Sequence, residues 1–420
     1  MLSASTTLYK NLQKRYSRKI NLDLNRINTV LKKLNNPHLD LINPINILGS
    51  DGKMSVLTCL KYFLQSDKKK ITAFTSPHLY DLRQRIWLNN NYISLINLKK
   101  LIKSVEQTKL KLTLFELLTC AYILAAKNTN NIKFNLVESG LLFKKDSTNL
   151  WDSPRAQIVT NINFQHQEWV KPKTISEICK QKVKYLSKNT VIYIGKQEKK
   201  TLAIIKKNLK KNPSKIVYPN SWTIKKNKQG IYYKDKKNLF SINSKHIYSK
   251  GLMGNLGLAI KVALDLGVKK QSIINIIPKI RFEGRMQYVR KGKLRKYLHK
   301  NEKLLIDGCH SLTSAKNLNN YLKTLNGPKY GICGIQKNKM PEKFIKIFKR
   351  TFKQLITVNI PNEPNSLDKS KLTLMAKNNL IEARSAKNIP NALNKISSKG
   401  EKTIVIFGSL YLIGDVLKNN

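Results

Sequence analysis

From Ile45 onward the sequence alternates short apolar runs with stretches of helical periodicity, and nothing else in it constrains the fold as strongly. Such alternation is the signature of α/β units wrapped around a mostly parallel sheet. Ile45–Leu48 reads as a strand, and Val56, Leu57, Leu60, Phe63 and Leu64 form one face of the helix that follows. Ile71–Phe74, Phe134–Val137 and Ala156–Ile162 read as further strands, and Leu114–Ala126 as a buried helix. Between about Lys215 and Ser249, strand-like alternation around Lys234-Asp235-Lys236-Lys237 predicts a hairpin insertion, and helical texture returns at Asn255–Leu266. A second series then begins, with strands at Leu304–Asp307, Tyr330–Gly334, Leu355–Val358 and Thr403–Phe407 and helices at Ala315–Leu325 and near Phe344–Phe352. Ile280–Gly284 is the natural joint. The expected organisation is a large N-terminal α/β domain over residues 1–282 and a smaller C-terminal one over 283–420.

Composition narrows the class. The 420 residues include 79 Lys+Arg against 24 Asp+Glu, a net charge of +55, yet 41% are hydrophobic, enough to bury two cores. No apolar run reaches the ~20 residues of a membrane helix, so no membrane partner is expected. The charge is spread through a chain rich in Lys, Asn and Ile. No zinc-finger, helix-turn-helix or RNP-type pattern accompanies it, so it reads as compositional bias and no specific nucleic-acid partner is expected. The cysteines Cys59, Cys120, Cys179, Cys309 and Cys333 are odd in number and never paired as CxxC, which suits a reducing, cytoplasmic setting. The first 22 residues carry several Lys/Arg and no acid. They run straight into the amphipathic pattern Leu24, Ile27, Val30, Leu31, Leu34, and read as the first helix of the mature protein rather than a targeting segment.

The sharpest local signal is Gly49-Ser50-Asp51-Gly52-Lys53-Met54-Ser55, between a predicted strand and a predicted helix. That is where a phosphate-binding loop belongs: glycines let the backbone approach, helix N–H groups face the anion, Lys neutralises it and a hydroxyl can hold Mg²⁺. One residue too many separates Lys53 from Ser55 for the strict GxxxxGK[ST] pattern. A Gly-rich strand-to-helix turn by itself is commonly just a turn.

The spacing resembles the G-T-N-G-K-G-S loop of the Mur ligase superfamily, and the rest of the chain resembles its folylpolyglutamate synthase/dihydrofolate synthase branch. Thr75-Ser76-Pro77-His78-Leu79 with Gln84-Arg85-Ile86 is similar to TSPHL…ERI, and Leu112–Thr119 to an LTYFE-type helix. Glu138-Ser139-Gly140-Leu141 with Asp146-Ser147-Thr148-Asn149 is similar to EVGLGGRLDATN, Asp307–Ser311 to DGAHN, and Gly408–Gly414 to GSLYLVG. These matches occur in the family's order and cover nearly the whole chain.

The resemblance implies a Mur-ligase-type fold, with an N-terminal P-loop ATPase-like α/β domain and a C-terminal Rossmann-like one. It implies ATP-dependent ligation of L-glutamate to dihydropteroate or a folyl-polyglutamate through an acyl phosphate, by a monomeric enzyme. Gly49, Ser50, Asp51, Gly52, Lys53 and Ser55 would hold the ATP phosphates, and Asn255, Arg285 and Asp307 the remainder of the nucleotide across the domain cleft. Mg²⁺ would sit on Ser55, Glu138 and His166. Lys182 aligns with a carbamylated lysine that supports a second Mg²⁺, although composition alone would place it on the surface. Ser76, Pro77, His78 and Leu79 fall on the folate side, and His310 near the acyl phosphate and the incoming glutamate.

The chain also departs from this pattern. Met54 replaces the loop's third glycine, where a Cβ obstructs if φ must be positive or phosphate must approach closely. Leu142-Phe143 replaces a Gly pair. Gln84, Gln165 and Gln181 stand where carboxylates would, the middle one just ahead of the metal histidine. Cys309, Ser311 and Leu312 alter the DGAHN segment, and Lys337-Asn338-Lys339-Met340 replaces an acidic loop. The second expectation is therefore a catalytically impaired relative that keeps the fold and binds nucleotide or polyanions. The backbone at Met54 and the placement of Phe143 discriminate the two.

Overall fold

The computed structural model describes residues 4–16, 22–227, 230–243 and 246–420. They form two compact units: one runs to His246 and resumes over Leu252–Ile280, and the other comprises Ile247–Gly251 and Arg281–Asn420. This differs from a linear division at 282 chiefly in the short segment Ile247–Gly251.

The first unit is built on an eight-stranded sheet. Its strands are β1 (Pro44–Leu48), β2 (Ile71–Phe74), β3 (Ile86–Leu88), β4 (Asn91–Tyr92), β5 (Phe134–Glu138), β6 (Ala156–Val159), β7 (Val191–Ile194) and β8 (Lys215–Val217). The order is β4-β3-β2-β5-β1-β6-β7-β8. All neighbours are parallel except β2–β3 and β3–β4. Every residue of β1, β2, β5 and β6 is buried, as strands covered on both faces must be.

Three expectations need correction here. The strand expected over Ala156–Ile162 ends at Val159: Thr160 still bonds the Leu48 carbonyl at the end of β1, and the Asn161 carbonyl then accepts N–H groups of the loop after β1. The insertion expected over 215–249 is smaller: Lys215–Val217 is β8 of the main sheet. A separate three-stranded antiparallel sheet comprises β9 (Trp222–Asn227), β10 (Gly230–Asp235) and β11 (Leu239–Ile242), with the expected turn beside Asp235. The helix expected at Asn255–Leu266 begins earlier, as Lys250–Asp265.

Two N-terminal helices, Ala4–Arg15 and Leu24–Lys33, lie on this unit, with residues 1–3 and 17–21 outside the described residues. Ile27, Val30 and Leu31 are buried against helix Leu114–Lys127 and its neighbours, so the amphipathic stripe packs as its spacing requires. The Ser5 hydroxyl donates to Asp81 at 2.6 Å and accepts from the Leu82 N–H at 3.0 Å.

The LTLFE segment has a physical reading. Thr113 caps helix Leu114–Lys127, and Glu116 closes a reciprocal capping box while accepting Arg26 Nη2 at 2.7 Å. Glu116→Ala removes the acceptor for two donors at once and should lower stability by about 2 kcal/mol. The readout is a lower urea midpoint at unchanged m-value; an unchanged midpoint would contradict it.

The second unit holds a six-stranded sheet of β12 (Gln287–Tyr288), β13 (Glu302–Asp307), β14 (Lys329–Cys333), β15 (Gln354–Thr357), β16 (Ala383–Ser385) and β17 (Lys402–Phe407). The order is β12-β13-β17-β14-β15-β16, parallel apart from β12–β13. The helix expected near Phe344–Phe352 is Pro341–Lys346. Phe348 and Phe352 lie beyond it, packed on Phe407 with ring centroids 4.7 and 5.4 Å away, so their spacing reflects an aromatic cluster rather than a longer helix.

Candidate active site at the carboxyl ends of the central strands

β5, β1 and β6 are adjacent, with Ile47 opposite Glu138 and Leu48 opposite Val159. Glu138, the 49–55 loop and the 160–166 loop therefore leave the sheet side by side at its carboxyl edge, where ligands of open α/β sheets bind.

In the loop, positive φ falls on Gly49 (140°) and Gly52 (96°). A Cβ at Gly49 would lie 2.1 Å from Thr160 Oγ1, and one at Gly52 2.6 Å from Asn255 Oδ1. Met54, by contrast, sits in the first turn of helix Lys53–Ser66 and is absent from the positive-φ residues. The backbone conformation at the position that lost its glycine does not require one. No side chain caps Gly52, and the first helical bond runs from Val56 N–H to Gly52 O. The N–H groups of Lys53, Met54 and Ser55 thus have no acceptor inside the helix, the arrangement that binds anions. Ser50 and Asp51 N–H instead donate to Asn161 O at 2.8 and 3.2 Å, which latches the loop to the segment after β6. Gly52→Ala would strain the backbone and push on Asn255, so nucleotide affinity should fall about tenfold or more, measured by calorimetry with ATP. Unchanged affinity would show that the Asn255 contact gives way freely.

Lys182 is the largest surprise. It is 1% exposed, on helix Ile175–Val183, with Nζ donating to Gly49 O at 3.1 Å and to Leu141 O. Lys53 Nζ reaches the same Gly49 carbonyl at 3.3 Å. Burial, reinforced by the Lys53 charge, pushes the Lys182 ammonium down to about 7. Leu142 and Phe143 are buried in one core with Leu48, Val159, Cys179 and Val183, so the pair that replaces two glycines packs on the helix bearing Lys182. Asp146 closes the 139–149 loop by accepting Gly140 and Leu141 N–H at 2.9 and 3.0 Å and the Thr148 hydroxyl at 2.6 Å.

Glu138 is 3% exposed, and its Oε2 accepts the Ser76 N–H at 3.1 Å, tying it to the Ser76–Leu79 segment. In that segment the Ser76–Pro77 peptide is cis, and His78 Nδ1 accepts Arg85 Nε at 3.0 Å. Burial and the Arg85 charge push His78 down to about 3, so its imidazole is neutral. Tyr9 packs edge-on against it at 4.5 Å. Gln84 Oε1 accepts the N–H groups of Leu79, Tyr80 and Asp81 at 3.1, 3.1 and 3.3 Å, work an amide oxygen does as well as a carboxylate. His166 is half-buried at φ 62° at the start of a short helical turn, Gln167–Trp169.

The donors suit a hard cation. Ser55, in the first turn of the helix after β1, and Glu138, at the end of the neighbouring β5, are buried, and among the described residues no three His, Cys, Asp or Glu side chains converge. Mg²⁺ in nucleotide sites is held in this sparse way, by one or two protein groups together with phosphate oxygens.

In the second unit, Asp307 ends β13 and accepts the N–H groups of Met286 and Cys309, both at 2.8 Å. Burial pushes its carboxyl up, opposed by the Arg285 guanidinium. A Cβ at Gly308 would meet Arg285 Nη1 at 2.8 Å, so Arg285 lies over that glycine. His310 Nδ1 is 2.9 Å from Gly308 O, and Ser311 caps helix Leu312–Leu322 through a capping box with Ser314. Leu312 stands at the first helical position, where proline is tolerated but not required. The expected residues thus gather in two groups: the loop, Lys182, Glu138, Ser76 and Asn255 in the first unit, and Arg285, Asp307 and His310 in the second. Asn161 and Asn163, which bond the 49–55 loop, carry no local signal that marks them in the sequence.

Residues 290–419 match the family model for the C-terminal domain of dihydrofolate synthetase. Over 95% of its length the chain is 26% identical to dihydrofolate synthetase of Saccharomyces cerevisiae, covering 98% of that protein. It is 22% identical to dihydrofolate synthase/folylpolyglutamate synthase of Bacillus subtilis, covering 94% of each. The fold is shared with E. coli FolC solved with DHPP and ADP (TM-score 0.86, 18% identity, 100% of this chain and 98% of that one). It is shared equally with Mycobacterium tuberculosis folylpolyglutamate synthase solved with ADP and AMPPCP (TM-score 0.84, 18% identity, 99% and 98%). The chain is thus similar from end to end to the dihydrofolate synthase and folylpolyglutamate synthase enzymes, and shares their two-unit α/β fold.

Proposed function

We propose that the protein is an ATP-dependent ligase that joins L-glutamate to the carboxylate of dihydropteroate, a folyl-polyglutamate or both, through an acyl phosphate. What carries this reading is the uncapped N-terminus of helix Lys53–Ser66 beside buried Glu138, in a chain that matches dihydrofolate synthetase almost end to end. The nucleotide complexes of two structural neighbours, and AMPPNP with Mn ion in the Yersinia pestis enzyme, support ATP and a divalent cation as cofactors.

The acceptor carboxylate must first be phosphorylated, a step that depends on positioning and charge neutralisation rather than a protein nucleophile. Gly49, Ser50, Asp51, Gly52, Lys53 and Ser55 frame the phosphates. Lys53 exchanges the Gly49 carbonyl for a phosphate oxygen. Ser55, Glu138 and His166 would hold Mg²⁺, which when bound would neutralise phosphate charge. Lys182 is poised as a neutral amine, the form that takes up CO₂, so a carbamate there can support a second Mg²⁺. Ser76, Pro77, His78 and Leu79 face the folate. Asn255, Arg285 and Asp307 complete nucleotide binding, and His310 meets the acyl phosphate and glutamate. In this reading residues 1–282 are the ATP-binding domain and 283–420 the ligase domain of a cytoplasmic monomer.

Helical Met54, with glycine at both positive-φ positions, favours this over an impaired relative that binds nucleotide or polyanions without ligating. The test is ADP release that requires a pteroyl acceptor and glutamate together. Release at the same background rate by wild type and Glu138→Ala would refute the reading.

A further inference from the structure

One side chain, Asn163, ties the loop after β6 to the phosphate loop. Its Nδ2 donates to Asp51 Oδ2 at 2.7 Å and to Asn161 Oδ1 at 3.1 Å, and its Oδ1 accepts Gln165 Nε2 at 2.8 Å. Its N–H donates to Ser50 Oγ at 3.2 Å, and the Ser50 hydroxyl lies 3.3 Å from its carbonyl oxygen. Asp51 is thus a carboxylate inside a loop otherwise suited to anions, a placement that opposes phosphate binding unless the group has another task. The loop motif this chain resembles has an amide at that position and a carboxylate just ahead of the metal histidine. Here the carboxylate is Asp51 and the amide is Gln165, so the two groups have exchanged sides of Asn163. The residue after Gln165 is His166, at φ 62°, in the left-handed region that is uncommon for residues other than glycine.

We propose that the Asp51–Asn163–Gln165 chain positions His166 against the phosphate loop and thereby sets how strongly the nucleotide site holds its divalent cation. Asp51 acts here as a positioning residue through Asn163 rather than as a metal ligand. The inference rests on the ligase reading, in which Ser55, Glu138 and His166 hold that cation. It predicts a charge dependence with a definite pattern. Asn163→Ala breaks the chain. Asn163→Asp sets two carboxylates against each other. Asp51→Asn combined with Asn163→Asp restores a donor–acceptor pair: the amide introduced at position 51 donates to the carboxylate introduced at position 163, which still accepts Gln165 Nε2.

The experiment is calorimetry of the full chain with AMPPNP, once in EDTA and once with Mn²⁺, reading the gain in affinity that the metal confers. Asn163→Ala should reduce that gain about tenfold, the usual loss when a group supporting a metal ligand is removed, and leave metal-free binding unchanged. Asn163→Asp should reduce it further, and the double exchange should return it to within about threefold of wild type. A gain equal to wild type in both single Asn163 variants would overturn the inference, as would a double exchange no better than Asn163→Asp alone. Should Asn163→Ala fail to fold, the comparison of Asn163→Asp with the double exchange still decides. A wild type that gains nothing from Mn²⁺ would instead refute the metal reading on which the inference stands.

Discussion

Glu138→Gln should slow glutamate ligation about a thousandfold while leaving the thermal midpoint nearly unmoved. Glu138 ends β5, is buried, and spends one oxygen on the Ser76 N–H. Glutamine keeps the volume and an acceptor for that N–H, so the Ser76–Leu79 segment stays in place. What it loses is the negative charge that, in the proposed site, would hold Mg²⁺ together with Ser55. A cation polarising a transferring phosphoryl group supplies several kcal/mol of transition-state stabilisation, and about 4 kcal/mol is a thousandfold in rate. Glu138→Ala differs in one respect: it also frees Ser76 and should raise KM for the pteroyl acceptor. A glutamine variant within tenfold of wild type would reduce Glu138 to an anchor for Ser76.

Lys182→Met should stabilise the protein at pH 6 and lose that advantage as the pH rises. The Lys182 ammonium is pushed down to about 7 in the folded chain, against ~10.4 for an exposed lysine. Between these values the unfolded chain binds the proton and the folded chain does not, so stability rises with pH across that window. Below about pH 7 the folded protein carries a buried ammonium at a cost on the order of 4 kcal/mol, and methionine removes it. Melting curves at pH 6 and pH 9.5 should show the gap between the variants close as the pH rises; a constant gap would mean that Lys182 stays charged. On the proposed carbamate role the same variant should also lose ligation, because it offers no amine to take up CO₂. Stability gained where activity is lost is the mark of a group retained for chemistry.

Much of this was legible in the chain because local rules and tertiary packing agree. β1 and β2 end in Ile47-Leu48 and Ala73-Phe74, β5 carries Leu136-Val137 just ahead of Glu138, and helix Lys53–Ser66 buries the face its spacing predicts. The strand-to-helix turn over 49–55 could be read because Gly49 and Gly52 occupy its two positive-φ positions. Other parts were hidden for physical reasons. Asn46, Gln157 and Thr148 form a hydrogen-bonded network inside the sheet, as do Thr72, Asn135 and Tyr122, and polar residues inside strands weaken the apolar signal. Lys182 looked like one of many surface lysines. Only the convergence of the Gly49 and Leu141 carbonyls, brought from sequence-distant loops, makes its burial tolerable. Gln84 shows the reverse: a lost carboxylate that read as decay still binds the same kind of donors, three backbone N–H groups. The +55 charge carried no information about the site, where geometry at three strand ends decides the chemistry.

The most direct test is to follow the acceptor oxygen. Dihydropteroate or tetrahydrofolate with both oxygens of its reacting carboxylate isotopically labelled would be incubated with the full chain, ATP, Mg²⁺ and L-glutamate. Ligation through an acyl phosphate predicts a glutamylated product and one labelled oxygen in each phosphate released. Glutamylated product with unlabelled phosphate would contradict the acyl phosphate, and ATP hydrolysis without glutamylation of either acceptor would contradict the ligase itself.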